Sequence, residues 1–225
     1  MTASRRLRAL DLGLLILGAP LWVPVMVVCA LAVAIGSGRP VFFRQVRVGR
    51  DGVPFQVLKF RSMRVADGLE QPTAATITRV GALLRRTSLD ELPQLLNVLR
   101  GDMSLVGPRP MLPRQVAALS TAQAVRHDVR PGLTGLAQVS GRNSIPWVER
   151  LAIDVAWATT ASIRGYLSIV AKTFAVIATG SGVDGNDADD PFVRLVYQQD
   201  EVEEPLAPVL VLDAAPVPRR EQVAA

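Results

Sequence analysis

Two adjacent carboxylates, Asp90 and Glu91, follow the arginine pair Arg85-Arg86 and precede Arg109, which stands in a Gly107-Pro108-Arg109-Pro110 turn. Neighbours i and i+1 do not share a helix face, so the two carboxylates can hold different jobs. One could attack an electrophile while the other binds a divalent metal. Mg²⁺ takes one or two carboxylates plus substrate phosphates, as a pyrophosphate substrate would require. The prolines fix the backbone around Arg109, and a guanidinium held in that way suits a bidentate phosphate contact. Lys59 and Arg61, two residues apart in a β-rich run, would project together as further phosphate or carboxylate contacts, and Arg142 is a candidate nucleotide-phosphate contact. Such a set of residues reads as a phosphate-handling active site.

Three elements must position these groups. Residues 41–48 and 53–63 flank Gly49-Arg50-Asp51-Gly52 and predict a β-hairpin, with Phe55, Val57, Lys59 and Arg61 on one face by period two. Ser88 with Glu91 three residues on is a capping-box signature, so either Ser88 or Asp90 is the predicted N-cap of a helix. Both readings place Asp90 at the positive end of a helix dipole. Leu92, Leu95, Leu96 and Leu99 then form an apolar stripe, facing core or membrane interface, with Gln94 and Asn97 off it. Residues 113–128 read as an Ala-rich helical stretch, and 167–178 as an apolar helix on the core or the membrane.

The third element is Leu12 to Ile35, which carries no charge. As straight helix it would measure roughly 36 Å, against a hydrocarbon core of roughly 30 Å. Pro20 and Pro24 interrupt it, and arginines lie on both sides: Arg5, Arg6 and Arg8 before, Arg39, Arg44, Arg47 and Arg50 after. The positive-inside rule favours keeping both flanks cytoplasmic. A helix broken at Ala19, Pro20 and Pro24 that dips in and returns satisfies both facts better than a simple span or a signal peptide.

Composition narrows the function further. The net charge is +5, but residues 1–150 carry 20 Lys+Arg against 9 Asp+Glu, and the remainder is acidic. A basic body suits anionic partners. A nucleic-acid binder would need a recognisable module, and the apolar segment argues against one. Cys29 is the single cysteine, so no internal disulfide forms, and zinc-ligand spacings are absent. His127, between Arg126 and Asp128, is read as non-catalytic. Asp187-Ala188-Asp189-Asp190 is read as linker rather than metal site.

Lys59-Phe60-Arg61-Ser62-Met63, Thr87–Gln94, Asn97–Pro110, Arg130–Gly135 and Gln138–Arg142 closely resemble the bacterial sugar transferases, monotopic polyprenyl-phosphate phosphoglycosyl transferases, over about residues 5–178. The resemblance implies transfer of a sugar 1-phosphate from a UDP-sugar to a membrane polyprenyl phosphate, releasing UMP. It implies that Asp90 is a covalent nucleophile, that Glu91 is tied to Mg²⁺, and that Lys59, Arg85 and Arg109 hold phosphates or carboxylates. This chain has Ala19 where small family members usually have serine, so no hydroxyl serves the kink. Residues 155–157 and 163–166 also depart from the family's aromatic patch. The expected architecture is α+β and mainly helical. It comprises an N-terminal re-entrant membrane helix (1–40), a catalytic domain with a β-hairpin and interfacial amphipathic helices on the cytoplasmic face of the bacterial inner membrane (41–180), and an acidic, flexible tail (181–225). Membrane lipids are expected partners, and the sequence leaves the oligomeric state open, a homodimer included. A non-catalytic basic membrane scaffold is the competing reading; it leaves Asp90-Glu91 beside a fixed Arg109 unexplained.

Overall fold

The computed structural model describes residues 3–64, 77–141, 144–179 and 190–198. Helix α1 (Ala3–Ser37) is long and apolar enough to cross a membrane. One side of its middle is bare: Leu17 is 81% exposed, and Ile16, Leu21, Val27, Val28 and Leu31 are exposed with it, while Leu15, Cys29 and Val33 on the other side join the core. Both ends of α1 are also tied to the rest of the protein by hydrogen bonds. Near the start, Arg8 donates to the carbonyls of Val98 (2.6 Å) and Leu99 (3.1 Å). The buried Asp11 accepts from the Ser104 hydroxyl, the Leu105 N–H and the Tyr166 hydroxyl at 2.7–2.9 Å. A carboxylate that close to an apolar run is tolerated because three donors satisfy it. At the far end, the Ser37 hydroxyl bonds Thr78, and Arg61 donates to the carbonyls of Ser37 and Arg39.

No non-helical break occurs at Ala19-Pro20. Pro20 and Pro24 lie inside one continuous helix. Each proline removes a ladder donor and crowds the preceding turn. Beside the carbonyl freed by Pro20, the Trp22 indole N–H donates to Leu15 O at 2.9 Å, so a side chain supports the weakened stretch from within.

Strands β1 (Phe42–Val48) and β2 (Pro54–Phe60) form the expected antiparallel hairpin, with Phe43 opposite Lys59 and Val48 opposite Pro54. After helix α2 (Arg79–Arg86), helix α3 (Gln94–Arg100) packs on β2. Here Asn97, off the apolar stripe in sequence, is fully buried. Its Oδ1 accepts from Leu58 N–H at 3.0 Å and its Nδ2 donates to Gln56 O at 2.8 Å. One amide side chain thus satisfies the open edge of β2, which no strand covers among the described residues. Leu15, Val57, Leu95, Val98 and Met103 close the core below it, and Cys29, Val33, Phe60 and Leu84 form a second cluster; Leu92 touches both.

A parallel pair follows that the sequence pattern does not announce. Strand β3 (Ser104–Val106) lies beside β4 (Gly132–Thr134), joined by helices α4 (Pro113–Ala117) and α5 (Thr121–Ala124). A Cβ on Gly132 would sit 2.1 Å from the Gly107 nitrogen, so this approach requires glycine. The single Ala-rich helix expected over 113–128 is instead two short helices and a 3₁₀ turn. Ser120 restarts the chain as a capping box with Gln123. Helices α6 (Leu136–Ser140), α7 (Trp147–Thr160) and α8 (Ile163–Thr179) complete the body. Tyr166 and Ile169 of α8 are buried against Val106 and Trp157, while Leu167 and Phe174 are exposed. Within the stretch read as tail, helix α9 (Pro191–Gln198) docks on α7: Phe192 stacks on Trp147 at 5.3 Å between ring centres, and Asp190 accepts from Trp147 N–H at 2.8 Å. Asp190 is therefore a cap, and Asp187 to Asp189, like residues 199–225, lie outside the described residues.

Candidate active site

The dyad sits in a tight turn, where the sequence predicts a helix N-terminus. Leu89–Glu91 form a 3₁₀ turn, and the α-helix begins only at Gln94. Pro93 has no N–H to return to the Leu89 carbonyl, so the turn closes on shorter bonds: Leu92 N–H to Leu89 O (3.2 Å), Leu95 N–H to Leu92 O (3.1 Å) and Leu96 N–H to Pro93 O (3.0 Å). Ser88 makes no capping bond. It adopts the left-handed conformation at φ 57°, rare for a residue other than glycine. Neither predicted N-cap therefore forms, and the dyad is aimed by this reversed residue and by Pro93.

Around the dyad the structure brings together three of the predicted cations. Glu91 Oε1 accepts from Lys59 Nζ at 2.6 Å and from Arg109 NH2 at 3.1 Å. Burial would raise the Glu91 carboxyl, but Arg109 and Lys59 outweigh it and bring it down from 4.5 to about 2. Asp90 moves the other way. Burial, then the charge of Glu91, raises it above its ordinary value, against partial compensation from Lys59 and Arg85. The two neighbours are thereby separated: one is a fixed anion locked between cations, the other a carboxylate of raised basicity beside it.

Arg61 does not join them. β2 ends at Phe60, and beyond it the Arg61 side chain turns to the end of α1, where two of its nitrogens bond the carbonyls of Ser37, the last helix residue, and of Arg39 just past it. Period-two reasoning holds only while the strand lasts; here the cation serves as a C-terminal helix cap. Arg142 lies outside the described residues.

Two residues that sequence reasoning passed over hold the Arg109 turn. Arg126 NH2 donates to the Arg109 carbonyl at 2.7 Å and to Asp154 Oδ2 at 2.6 Å, and both members of this pair are buried. Asp154 is raised by burial, with Arg126 opposing. His127 is buried beside Arg126 and is lowered to about 4 by desolvation and then by that arginine, which leaves it neutral near pH 7. The one available sequence signal for Arg126 was its place before a proline-terminated turn, which says nothing about a partner 28 residues on.

A metal would find two adjacent carboxylates, Asp90 and Glu91; no group of three or more His, Cys, Asp or Glu able to hold one occurs among the described residues. That donor set fits Mg²⁺ arriving with a substrate's phosphates, since oxygen ligands, substrate and water complete its shell. It does not fit a resident ion caged by protein alone.

Comparison with known proteins places the chain in a family. The model of the bacterial sugar transferase family matches residues 3–180. The chain is 44% identical to a UDP-glucose:undecaprenyl-phosphate glucose-1-phosphate transferase of Caulobacter vibrioides, over 77% of this chain and 70% of that one. It is 45% identical to the uncharacterized sugar transferase EpsL of Bacillus subtilis, over 65% and 74%. With the exopolysaccharide production protein ExoY of Rhizobium meliloti the identity is 37%, over 75% and 81%. With the dyad, its cations and helix α1 inside the matched span, the chain belongs to the bacterial sugar transferase family.

Proposed function

We propose that this enzyme transfers a sugar 1-phosphate from a UDP-sugar to a membrane polyprenyl phosphate and releases UMP, through a covalent intermediate on Asp90. The observation that carries the reading is the division of the dyad: Glu91 is held by Lys59 and Arg109, while Asp90 beside it has a raised pKa and no ion pair among the described residues. Ionised Asp90 attacks the sugar-bearing phosphorus. The Asp90 O–P bond forms, the pyrophosphate P–O bond breaks, and UMP leaves with the electron pair. An oxygen of the polyprenyl phosphate then attacks the same phosphorus, making the new pyrophosphate and returning the Asp90 carboxylate. The acceptor is already an anion, so no strong general base is required. Lys59, Arg85 and Arg109 offset charge on the transferring phosphoryl, and a bound Mg²⁺, held by Asp90 and Glu91, would add Lewis-acid stabilisation of the pyrophosphate.

The geometry of α1 supports a membrane position. Arg8 and Ser37 would be roughly 44 Å apart along a straight helix, yet both are fastened to the same folded body. A span would separate these ends by a hydrocarbon core of roughly 30 Å. We read α1 as entering and leaving one leaflet, with bending at Pro20 and Pro24, and the dyad as facing the cytoplasmic membrane surface.

Full-length protein in nanodiscs should release UMP from a UDP-sugar, with UDP-glucose as the first donor tried, only when polyprenyl phosphate and Mg²⁺ are present. Asp90→Asn should abolish both turnover and the phosphosugar adduct detected by intact-mass spectrometry. Full activity in that variant would remove Asp90 from the mechanism.

A further inference from the structure

The first turns of α1 and the tip of the hairpin converge on a second concentration of arginine. Ser4, Arg5, Arg8, Arg50 and Arg130 line a hollow of about 440 Å³. Arg50 heads the hairpin turn, whereas Lys59 lies five residues up β2 from Pro54, roughly 17 Å away. The hollow is thus separate from the dyad. Its arginines are held open by the backbone: Arg8 bonds the Val98 and Leu99 carbonyls, and Arg130 Nε bonds the Gly101 carbonyl at 2.8 Å. Counter-charge is scarce. Asp51 pairs with Arg50 at 2.9 Å and Asp11 lies 3.9 Å from Arg8, while Arg5 and Arg130 have no carboxylate partner among the described residues. Four guanidiniums therefore meet two carboxylates. Burial, followed by the charges of Arg50 and Arg8, lowers Arg130 from its ordinary value.

Fixed like charges around a hollow favour an anion, and the neighbourhood says which kind. From Ile16 and Leu17 onward the exposed side of α1 is apolar, so the hollow lies where a polar surface gives way to a lipid-facing helix. We propose that it seats the phosphodiester of an anionic phospholipid, whose acyl chains run along the exposed side of α1. This rests on the membrane reading of α1 above and not on the chemistry at Asp90. The seat would fix the depth and tilt of α1, which hydrophobic length alone leaves loose.

The test uses full-length protein in nanodiscs of equimolar phosphatidylglycerol and phosphatidylcholine, with lipids retained after detergent extraction counted by mass spectrometry. Wild type should retain phosphatidylglycerol in preference to phosphatidylcholine. Arg5→Gln and Arg50→Gln alter exposed side chains outside the catalytic machinery, and each should weaken retention about fivefold. Unchanged retention in the double variant would overturn the proposal. So would equal retention of phosphatidylcholine, displacement by polyprenyl phosphate, or displacement by millimolar inorganic phosphate, which would mark a soluble-anion site. UMP release in the same discs separates the two readings: preference for phosphatidylglycerol without turnover supports the seat and defeats the transferase chemistry. Failure to enter the discs defeats the seat together with the membrane reading.

Discussion

Two arginine–carboxylate pairs stand one behind the other in this molecule, and they differ in exposure. In front, Arg109 reaches Glu91 at 3.1 Å with its side chain 54% exposed. Behind it, Arg126 reaches Asp154 at 2.6 Å with both side chains buried. The front pair can exchange partners with an incoming phosphate at smaller cost, because Arg109 is open to water and Lys59 still pairs Glu91 when Arg109 leaves. The rear pair cannot, because opening it strands a charge in a medium that does not solvate it. The same chemistry thus yields a substrate contact at one depth and a positioning device at the other, and the Arg109 carbonyl links them.

Removing one partner at each depth gives the largest contrast. Arg126→Met should cost about 3–5 kcal/mol of stability, because Asp154 is left buried and unpaired. In the Arg126→Met/Asp154→Leu double variant, most of that stability should return in denaturant titration, while transfer stays impaired because the Arg109 carbonyl has lost its donor. Recovery of kcat/KM along with stability would show that the rear pair has no positioning role. Arg109→Ala should do the reverse: about 100- to 1,000-fold lower kcat/KM, as for loss of a phosphoryl clamp, with a smaller loss of stability than Arg126→Met, because Lys59 still pairs Glu91.

Acid should separate the two members of the dyad in the same spirit. Glu91 is depressed to about 2, so its contribution to stability is complete above its ordinary 4.5 and is lost as pH falls from there towards 2. Asp90 is raised, and attack requires its ionised form, so the acid limb of transfer lies above the ordinary aspartate value. Activity should therefore fall, as pH is lowered, before the Lys59–Glu91–Arg109 contacts open. Parallel pH–rate and thermal-unfolding profiles that decline together would refute this separation.

The front of this arrangement is far more legible in the sequence than the rear. Asp90 and Glu91 announce themselves as adjacent carboxylates, Arg109 by its flanking prolines and Lys59 by its place on the hairpin, and the structure gathers them. The hairpin is equally plain from Asp51-Gly52 between β-rich runs. Arg61 was misplaced because alternation was extended past the last strand residue. Asp11, Asn97, Arg126 and Asp154 are single polar residues, each of which binds a partner 28 to 155 positions away. No local periodicity encodes such pairs; they become visible only when the core closes around them. Ser88 is hidden for another reason: its sequence context favours a cap, and Pro93 forces a different turn.

The smallest expected effect tests the same contrast within α1. The Trp22–Leu15 hydrogen bond supports a bare, proline-weakened stretch, whereas Asp11 is locked by three donors in the body. Trp22→Phe keeps the ring's apolar contacts and removes only the indole donor, a change of about 0.5–1.5 kcal/mol. Because that bond lies between the two anchored ends and touches neither, its loss should leave kcat of the dyad unchanged and loosen the geometry of α1 alone. Spin labels at positions 17 and 28, both exposed, would report a broadened distance distribution in the variant. An unchanged distribution would mean that the packing of Leu15 and Cys29 already fixes the bend, and that the indole is dispensable.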